Sequence, residues 1–330
     1  MSFVKNQKVK TIRRETLLLL AYPFLRLVIL FVRFYPKSHR AALGTFLGKQ
    51  AYKFNKTSRK RTLNSLTIAY GDMLTPEKIE EMAKEVFVNT AKTVVDFYAT
   101  VHITDKKRFF EMVEVEGEEH LKTAYEQKKG VICLVPHLSS WELSAVTPPM
   151  LGYSTSAASK AIKGFLIQRM MVRFRSRRGM KNISRENSYK KLVKALEAGD
   201  CLIVMIDQDT KVKGVFVDFY GKKAYTPMGV SRLALETGAI VVPMAMVRKE
   251  DSKYKFIIRP PLETINTGNL EKDLYDNTQQ QTLVLEKIIR QYPTQWVWMH
   301  RRWKTTPESL AAYLEQRAAE KAKRNKKQNA

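Results

Sequence analysis

Five positions separate His137 from Glu142 in the run Gly130-Val-Ile-Cys-Leu-Val-Pro-His-Leu-Ser-Ser-Trp-Glu-Leu-Ser144. An imidazole is the side chain best suited to move a proton near neutral pH, and a carboxylate can fix which of its nitrogens carries that proton. On one continuous helix the two side chains would stand about 140° apart, so a bend is needed to bring them together. The sequence supplies one. Val131 to Val135 read as a short buried strand, Pro136 ends its ladder, and Ser139 caps a helix running from Ser140 toward Val146. His137 then sits on the turn, and Glu142 lies in the first helical turn, placed to orient the imidazole. The same residues admit a plainer account. Ser139-Ser-Trp-Glu142 fits a capping box, in which the glutamate bonds back to the cap's N–H and is only structural.

Further segments follow in a fixed order. Asp207-Gln-Asp209 comes after the strand-like run Cys201 to Ile206. Val215-Phe-Val-Asp-Phe-Tyr-Gly221 is followed by Ala224-Tyr-Thr-Pro227, then Val241-Val-Pro243, then Gln295-Trp-Val-Trp-Met-His-Arg-Arg-Trp-Lys-Thr305. The His-x4-Glu core resembles the His-x4-Asp/Glu signature of the lysophospholipid acyltransferase superfamily. The later segments, from about residue 15 to residue 308, are similar to those of its lipid A biosynthesis (Kdo-lipid A secondary) acyltransferase family. That resemblance implies transfer of a fatty acyl chain from a thioester, on acyl carrier protein or coenzyme A, to a hydroxyl of a lipid A precursor. It needs no cofactor, and it casts His137 as general base with Glu142 orienting it. Alignment with the family's Arg-x-Arg element makes Arg173 and Arg175 substrate-binding candidates, and Asp207 and Asp209 join them. By the same resemblance Gly221, Thr226 and Pro227 would form a loop lining the substrate groove, and His300 is not expected to act as the base.

Composition agrees with a lipid-facing role. Among 330 residues, Lys plus Arg number 58 and Asp plus Glu 32, a net charge of +26. Such a surplus draws a protein to anionic membranes, nucleic acid or acidic partners. Residues 1 to 14 carry Lys5, Lys8, Lys10, Arg13 and Arg14 without an acid, and the tail from 317 to 330 is also basic, yet most of the surplus lies between them. Lys160 to Lys191 holds eleven basic residues against Glu186, threaded with Phe165, Leu166, Met170, Val172 and Phe174. This reads as a helix with an apolar and a cationic side, either a solvated face or a surface for phosphates, for an acidic carrier protein or for headgroups. Cys133 and Cys201 sit in apolar runs and read as buried thiols. No Cys/His cluster has zinc-ligand spacing.

Leu17 to Val32 is the one stretch apolar enough to enter a bilayer core, but it falls short of the roughly 20 residues a span requires and contains Pro23 and Arg26. It is expected to be an embedded or monotopic helix at the cytoplasmic face of the inner membrane, among anionic lipids. Arg40 to Tyr70 has helical period, and Thr75-Pro76 starts a helix reaching about Tyr98. Strand-like runs at 131–135, 201–206, 240–247, 254–259 and 296–299 alternate with helical ones at 140–147, 162–175, 187–198, 227–237 and 271–291. The expected fold class is therefore α/β: a three-layer α-β-α sandwich around a mixed, largely parallel sheet, with N-terminal membrane-associated helices. The expected division is 1–36 for the basic start and anchor, 37–310 for one acyltransferase domain, and 311–330 for a basic tail.

Other readings remain open on sequence alone. The acceptor is a lysophospholipid or another glycolipid if only the His-x4-Glu core is shared. A nucleic-acid-binding role lacks any zinc-finger, RNP-type or helix-turn-helix pattern. A non-catalytic membrane-surface protein would leave His137 and Glu142 as parts of a helix cap.

Overall fold

A computed structural model describes residues 2–159, 164–184, 188–210, 212–250 and 252–328, with the side chains of 2–14, 159 and 320–328 outside the description. The side chains of Lys5, Lys8, Lys10, Arg13 and Arg14, together with Lys160, Lys163, Arg185, Glu186, Lys211 and most of the basic tail, therefore lie outside the described residues.

Four helices open the chain: α1 (Ser2–Phe34), α2 (Lys37–Phe54), α3 (Lys56–Tyr70) and α4 (Pro76–Thr100). There follow α5 (Lys106–Met112), β1 (Val113–Glu116), α6 (Glu118–Glu126), β2 (Val131–Leu134), α7 (Trp141–Leu151), β3 (Thr155–Ser159), α8 (Phe165–Ser176), β4 (Met180–Ser184), α9 (Tyr189–Glu197) and β5 (Cys201–Val204). The remainder is β6 (Gly214–Phe219), β7 (Lys222–Pro227), α10 (Gly229–Thr237), β8 (Ile240–Arg248), β9 (Tyr254–Ile258), α11 (Leu270–Gln291), a short 3₁₀ turn (Pro293–Gln295) and α12 (Pro307–Gln328).

Seven strands form one sheet in the order β1-β9-β8-β2-β5-β3-β4. Every neighbouring pair is parallel except β8 with β9, so the sheet is mixed and largely parallel as expected. Parallel strands need both faces covered, and β2 shows why its sequence is apolar throughout. Val131, Cys133 and Val135 pack with Leu143, Val146 and Phe174 of α7 and α8. Ile132 and Leu134 point the other way, onto Leu196, Val230, Leu233 and Leu285 of α9, α10 and α11. This gives the α-β-α layering.

Three strands escaped the sequence reading: β1, β3 and the edge strand β4. Thr155-Ser-Ala-Ala-Ser159 and Met180-Lys-Asn-Ile-Ser184 carry few β-branched or aromatic residues. Residues 214–227 form the hairpin β6–β7, whose two-residue turn, Tyr220-Gly221, has positive φ at both positions (54° and 69°). Thr226 and Pro227 are consequently buried strand residues and not a loop. Conversely, 296–299 is not a strand. Trp296 makes one isolated bridge, to Leu138.

The N-terminal helix is longer than its apolar core suggested, running unbroken through Pro23. Glu15–Phe34, twenty residues, is long and apolar enough to cross a membrane, and 6% of its apolar window is buried. Twenty helical residues cover about 30 Å, the thickness of a hydrocarbon core. Val32 packs against Val95 and Ala99 of α4, while Leu20, Phe24, Leu27, Phe31 and Phe34 are exposed.

Arg40 to Tyr70 is two helices, parted at Asn55, whose side chain accepts from Ser58 N. Gly44 and Gly48 of α2 let it cross α4 almost backbone to backbone. A Cβ on Gly48 would lie 2.5 Å from Val88 Cα. We expect Gly48→Val to lower stability by about 1–3 kcal/mol by forcing these helices apart. Gly229→Ala, where an added Cβ meets nothing within 4 Å, should be neutral. Thermal melts followed by circular dichroism decide this, and equal melting of both variants would contradict it.

Candidate active site

Strands β2 and β5 lie side by side in the centre of the sheet, with Leu134 paired to Val204. The pairing offset persists past their ends: Val135 N donates to Val204 O at 3.0 Å, and three residues beyond each strand come His137 and Asp207. They meet there. His137 Nδ1 lies 2.7 Å from Asp207 Oδ1, and the His137 backbone N–H donates to Asp207 Oδ2 at 2.6 Å. The location is the carboxyl end of a parallel sheet, where α7 leaves β2 on one face and the chain after β5 departs to the other, a topological switch point.

Asp207 is 3% exposed. Burial by itself would raise its pKa. The charge of His137, the bond from the His137 ring, the indole N–H of Trp296 (2.8 Å to Oδ2) and the His137 amide overcome that and hold it at about 2. An ionised carboxylate only accepts, so the proton of a neutral imidazole belongs on Nδ1, and Nε2 keeps a lone pair for chemistry. The His137 side chain is 20% accessible, enough to meet a substrate from one side. Trp141 and His300 flank it, with ring centroids 5.6 and 6.1 Å away. Burial foremost, and then the His137 charge, lower the pKa of His300.

Glu142 is not the partner of His137. Its carboxylate takes both prongs of Arg175, Nε to Oε2 at 2.9 Å and Nη2 to Oε1 at 2.7 Å, with side chains 16% and 12% accessible. The carboxylate that meets the imidazole is instead Asp207. The physical reason is the exit of β2: Glu142 enters α7 on the side facing α8, whereas the strand register delivers Asp207 beneath the imidazole. The capping-box alternative fails as well. The helix cap is Ser140, which makes no side-chain cap bond. Ser139 adopts φ 46°, and its buried hydroxyl has no partner.

The substrate candidates are distributed differently from one another. Arg175 is spent on Glu142, while Arg173, on the same helix, is exposed. Asp207 holds the imidazole. Asp209 accepts from Thr305 N at 2.6 Å and Thr305 Oγ1 at 2.8 Å, fixing the C-terminal segment. Arg302, wholly buried, donates to Tyr225 O and Thr226 Oγ1, and burial brings its pKa down to about 10 against the pull of Asp207 and Asp209. Among the described residues no His/Cys/Asp/Glu group could hold a metal ion.

Two outcomes follow from these contacts. Asp207, held below the ordinary carboxylate value, stabilises the fold fully above about pH 4, and that contribution is lost as pH falls toward about 2. Acid unfolding monitored by intrinsic fluorescence should therefore be steeper across that window for the wild type than for Asp207→Asn, and superimposable curves would be a contradiction. Glu142→Ala leaves a sheltered guanidinium without its counter-charge and should cost about 3–5 kcal/mol. Glu142→Ala/Arg175→Met should recover much of the loss. Urea titrations of the three proteins test this, and a double variant no more stable than Glu142→Ala would refute it.

With the geometry in place, the comparisons with known proteins are direct. The family model described as bacterial lipid A biosynthesis acyltransferase matches residues 10–305. The chain is similar to the lipid A biosynthesis palmitoleoyltransferase of Escherichia coli (strain K12), 29% identical over 272 residues that cover 80% of this chain and 85% of that protein. It is also similar to the lipid A biosynthesis lauroyltransferase of the same organism, 28% identical over 283 residues, 84% of this chain and 88% of that one. A phosphatidylinositol mannoside acyltransferase of Mycolicibacterium smegmatis is 24% identical over 203 residues, 60% of this chain and 65% of that protein. Because the family match takes in nearly all of the chain, from within α1 to the Thr305 that Asp209 holds, this protein is an acyltransferase that belongs to the bacterial lipid A biosynthesis acyltransferase family.

Proposed function

We propose that this protein moves a fatty acyl chain from a thioester to a hydroxyl of a lipid A precursor at the inner membrane, with His137 as general base. The observation that carries the reading is the His137 Nδ1–Asp207 Oδ1 contact of 2.7 Å at the ends of two central parallel strands. An alcohol is a poor nucleophile at neutral pH unless its proton leaves as the new bond forms, and a positioned base gives typically 10²- to 10⁴-fold. His137 Nε2 takes the hydroxyl proton while the oxygen attacks the thioester carbonyl carbon. Asp207 stabilises the imidazolium that results. The first turn of α7, where the Ser140 cap makes no side-chain bond, supplies backbone N–H donors for the developing oxyanion. Collapse of the tetrahedral adduct breaks the C–S bond, the thiolate leaves with the proton from His137, and the products are an ester and a thiol.

Glu142 and Arg175 act as a unit that joins α7 to α8 and so sets the wall of the site. The exposed guanidinium of Arg173 on α8 suits the phosphates of the acceptor. The thioester is carried by acyl carrier protein or coenzyme A, for which the basic faces offer complementary charge. Glu15–Phe34 of α1 lies in the bilayer, and the catalytic unit stands at its cytoplasmic face among anionic lipids. A second acceptor class has one specific support, the similarity to a phosphatidylinositol mannoside acyltransferase, and on that reading another glycolipid is acylated.

His137→Ala should abolish transfer while leaving the melting temperature near the wild-type value, and Asp207→Asn should reduce turnover by roughly 10²- to 10⁴-fold by holding the wrong tautomer. Near-normal turnover of His137→Ala would reject the mechanism. Mass spectrometry of lipid A from cells lacking the protein should show one secondary acyl chain missing. Unchanged lipid A together with a missing acyl chain on another glycolipid would favour the second acceptor.

A further inference from the structure

We propose that Trp296 is a positioning residue for the reaction: its indole N–H, donating to Asp207 Oδ2, sets how the carboxylate divides its charge between its two oxygens and thereby the basicity of His137. This inference rests on the reading of His137 as general base. Trp296 is 1% exposed, and its Nε1 lies 2.8 Å from Oδ2. Oδ2 also receives the His137 amide, so the indole and the amide both fall on one oxygen and the other is left facing the ring.

The indole is held rigidly for this task. Its ring packs edge-on against Trp298, with centroids 4.7 Å apart, and at a tilt against Phe219 at 5.7 Å. The backbone around it is stitched to the catalytic loop from both sides: Ser139 N donates to Gln295 O at 2.8 Å, and Val297 N donates to His137 O at 3.3 Å. Trp296 and Leu138 form a bridge between these two bonds. The strip Gln295–Val297 thus fixes the histidine's backbone and the carboxylate's second oxygen together. A carboxylate this deeply buried has little access to solvent that could replace a missing donor, and the two donors on Oδ2 draw charge away from the oxygen that faces the imidazole. Removing the indole N–H leaves more charge on Oδ1. The imidazolium is then favoured, and the carboxylate is freer to rotate off the ring.

Trp296→Phe removes the N–H and keeps an aromatic body in the stack. Replacement of Trp296 by benzothienylalanine, in which sulfur stands where the N–H was, keeps the full bicyclic shape and guards against a folding defect. Trp298→Phe is the control, because the Trp298 N–H donates to Pro293 O and not to Asp207. In the full chain, reconstituted in lipid nanodiscs with an acyl thioester, both Trp296 replacements should lower kcat about tenfold with KM changed less than twofold. They should also move the acid limb of the pH–rate profile upward by about half a pH unit. The Cε1 resonance of His137, followed by NMR without any turnover, should titrate at correspondingly higher pH. Trp298→Phe should leave both midpoints where they are. An unmoved His137 titration in the benzothienyl protein, or an equal shift in Trp298→Phe, overturns the inference. If His137→Ala proves active, the general-base reading falls, while the NMR titration still decides whether the indole tunes the imidazole.

Discussion

The buried Asp207 carboxylate is the constraint around which this molecule is arranged. A charge removed from water is tolerable only when its oxygens are fully engaged, and Asp207 is engaged by the His137 ring, the His137 amide and the Trp296 indole. Those donors come from the ends of two distant segments, and Asp207 itself follows a third. Each segment must therefore be in place before the carboxylate is satisfied. The central sheet provides the first condition through the register of β2 against β5. The turn after α11 provides the second, by laying Gln295–Val297 along the loop that carries His137.

The same logic explains why the cationic surplus does not collapse the site. Of the basic groups near the centre, two are internal and already committed. Arg175 is gripped by Glu142, and Arg302 is buried against the hairpin β6–β7. A third, Arg178, donates to Phe174 O and Thr100 O, and burial lowers its pKa to about 10. These guanidiniums act as struts between elements. Other charge, as on Arg173, is exposed and solvated.

Much of this was legible in the sequence. The continuous apolar runs of β2, β5 and β8 announced strands buried on both faces, and Pro136 marked the end of the first. His137 and Asp207 both stand just past such runs, the first marked by its spacing to Glu142 and the second by the family resemblance. Their partnership was not legible, because it depends on which strands are neighbours. A reading along the chain favours the near acid, Glu142, over one 70 residues away. The equal distance of His137 and Asp207 from their strand ends is a signal, but it becomes usable only once β2 and β5 are known to pair in parallel and in register. The strands β3 and β4 were missed for a related reason. Their Ser, Ala and Asn content carries no strand preference, and extended structure is imposed on them from outside, on β3 by pairing with β5 and on β4 by pairing with β3.

The placement of Glu142 has a consequence for how the apolar helix and the site are joined. Glu15, near the start of the apolar stretch of α1, accepts a bond from the Phe165 amide at the first turn of α8, where an acidic group also meets the positive end of the helix dipole. One end of α8 is thus tied to α1. Near its other end, Arg175 grips Glu142 at the start of α7, and α7 begins four residues after His137. A contiguous path of bonded groups runs from the apolar helix, through α8, to the loop that carries the imidazole. Each joint is a charged group meeting a fixed donor or a bidentate fork, so the geometry passes along rigid elements with little slack. The His-x4-Glu spacing therefore joins two separate clusters: His137 bonds to Asp207 at the strand ends, and Glu142 belongs to the frame that runs through α8 to α1.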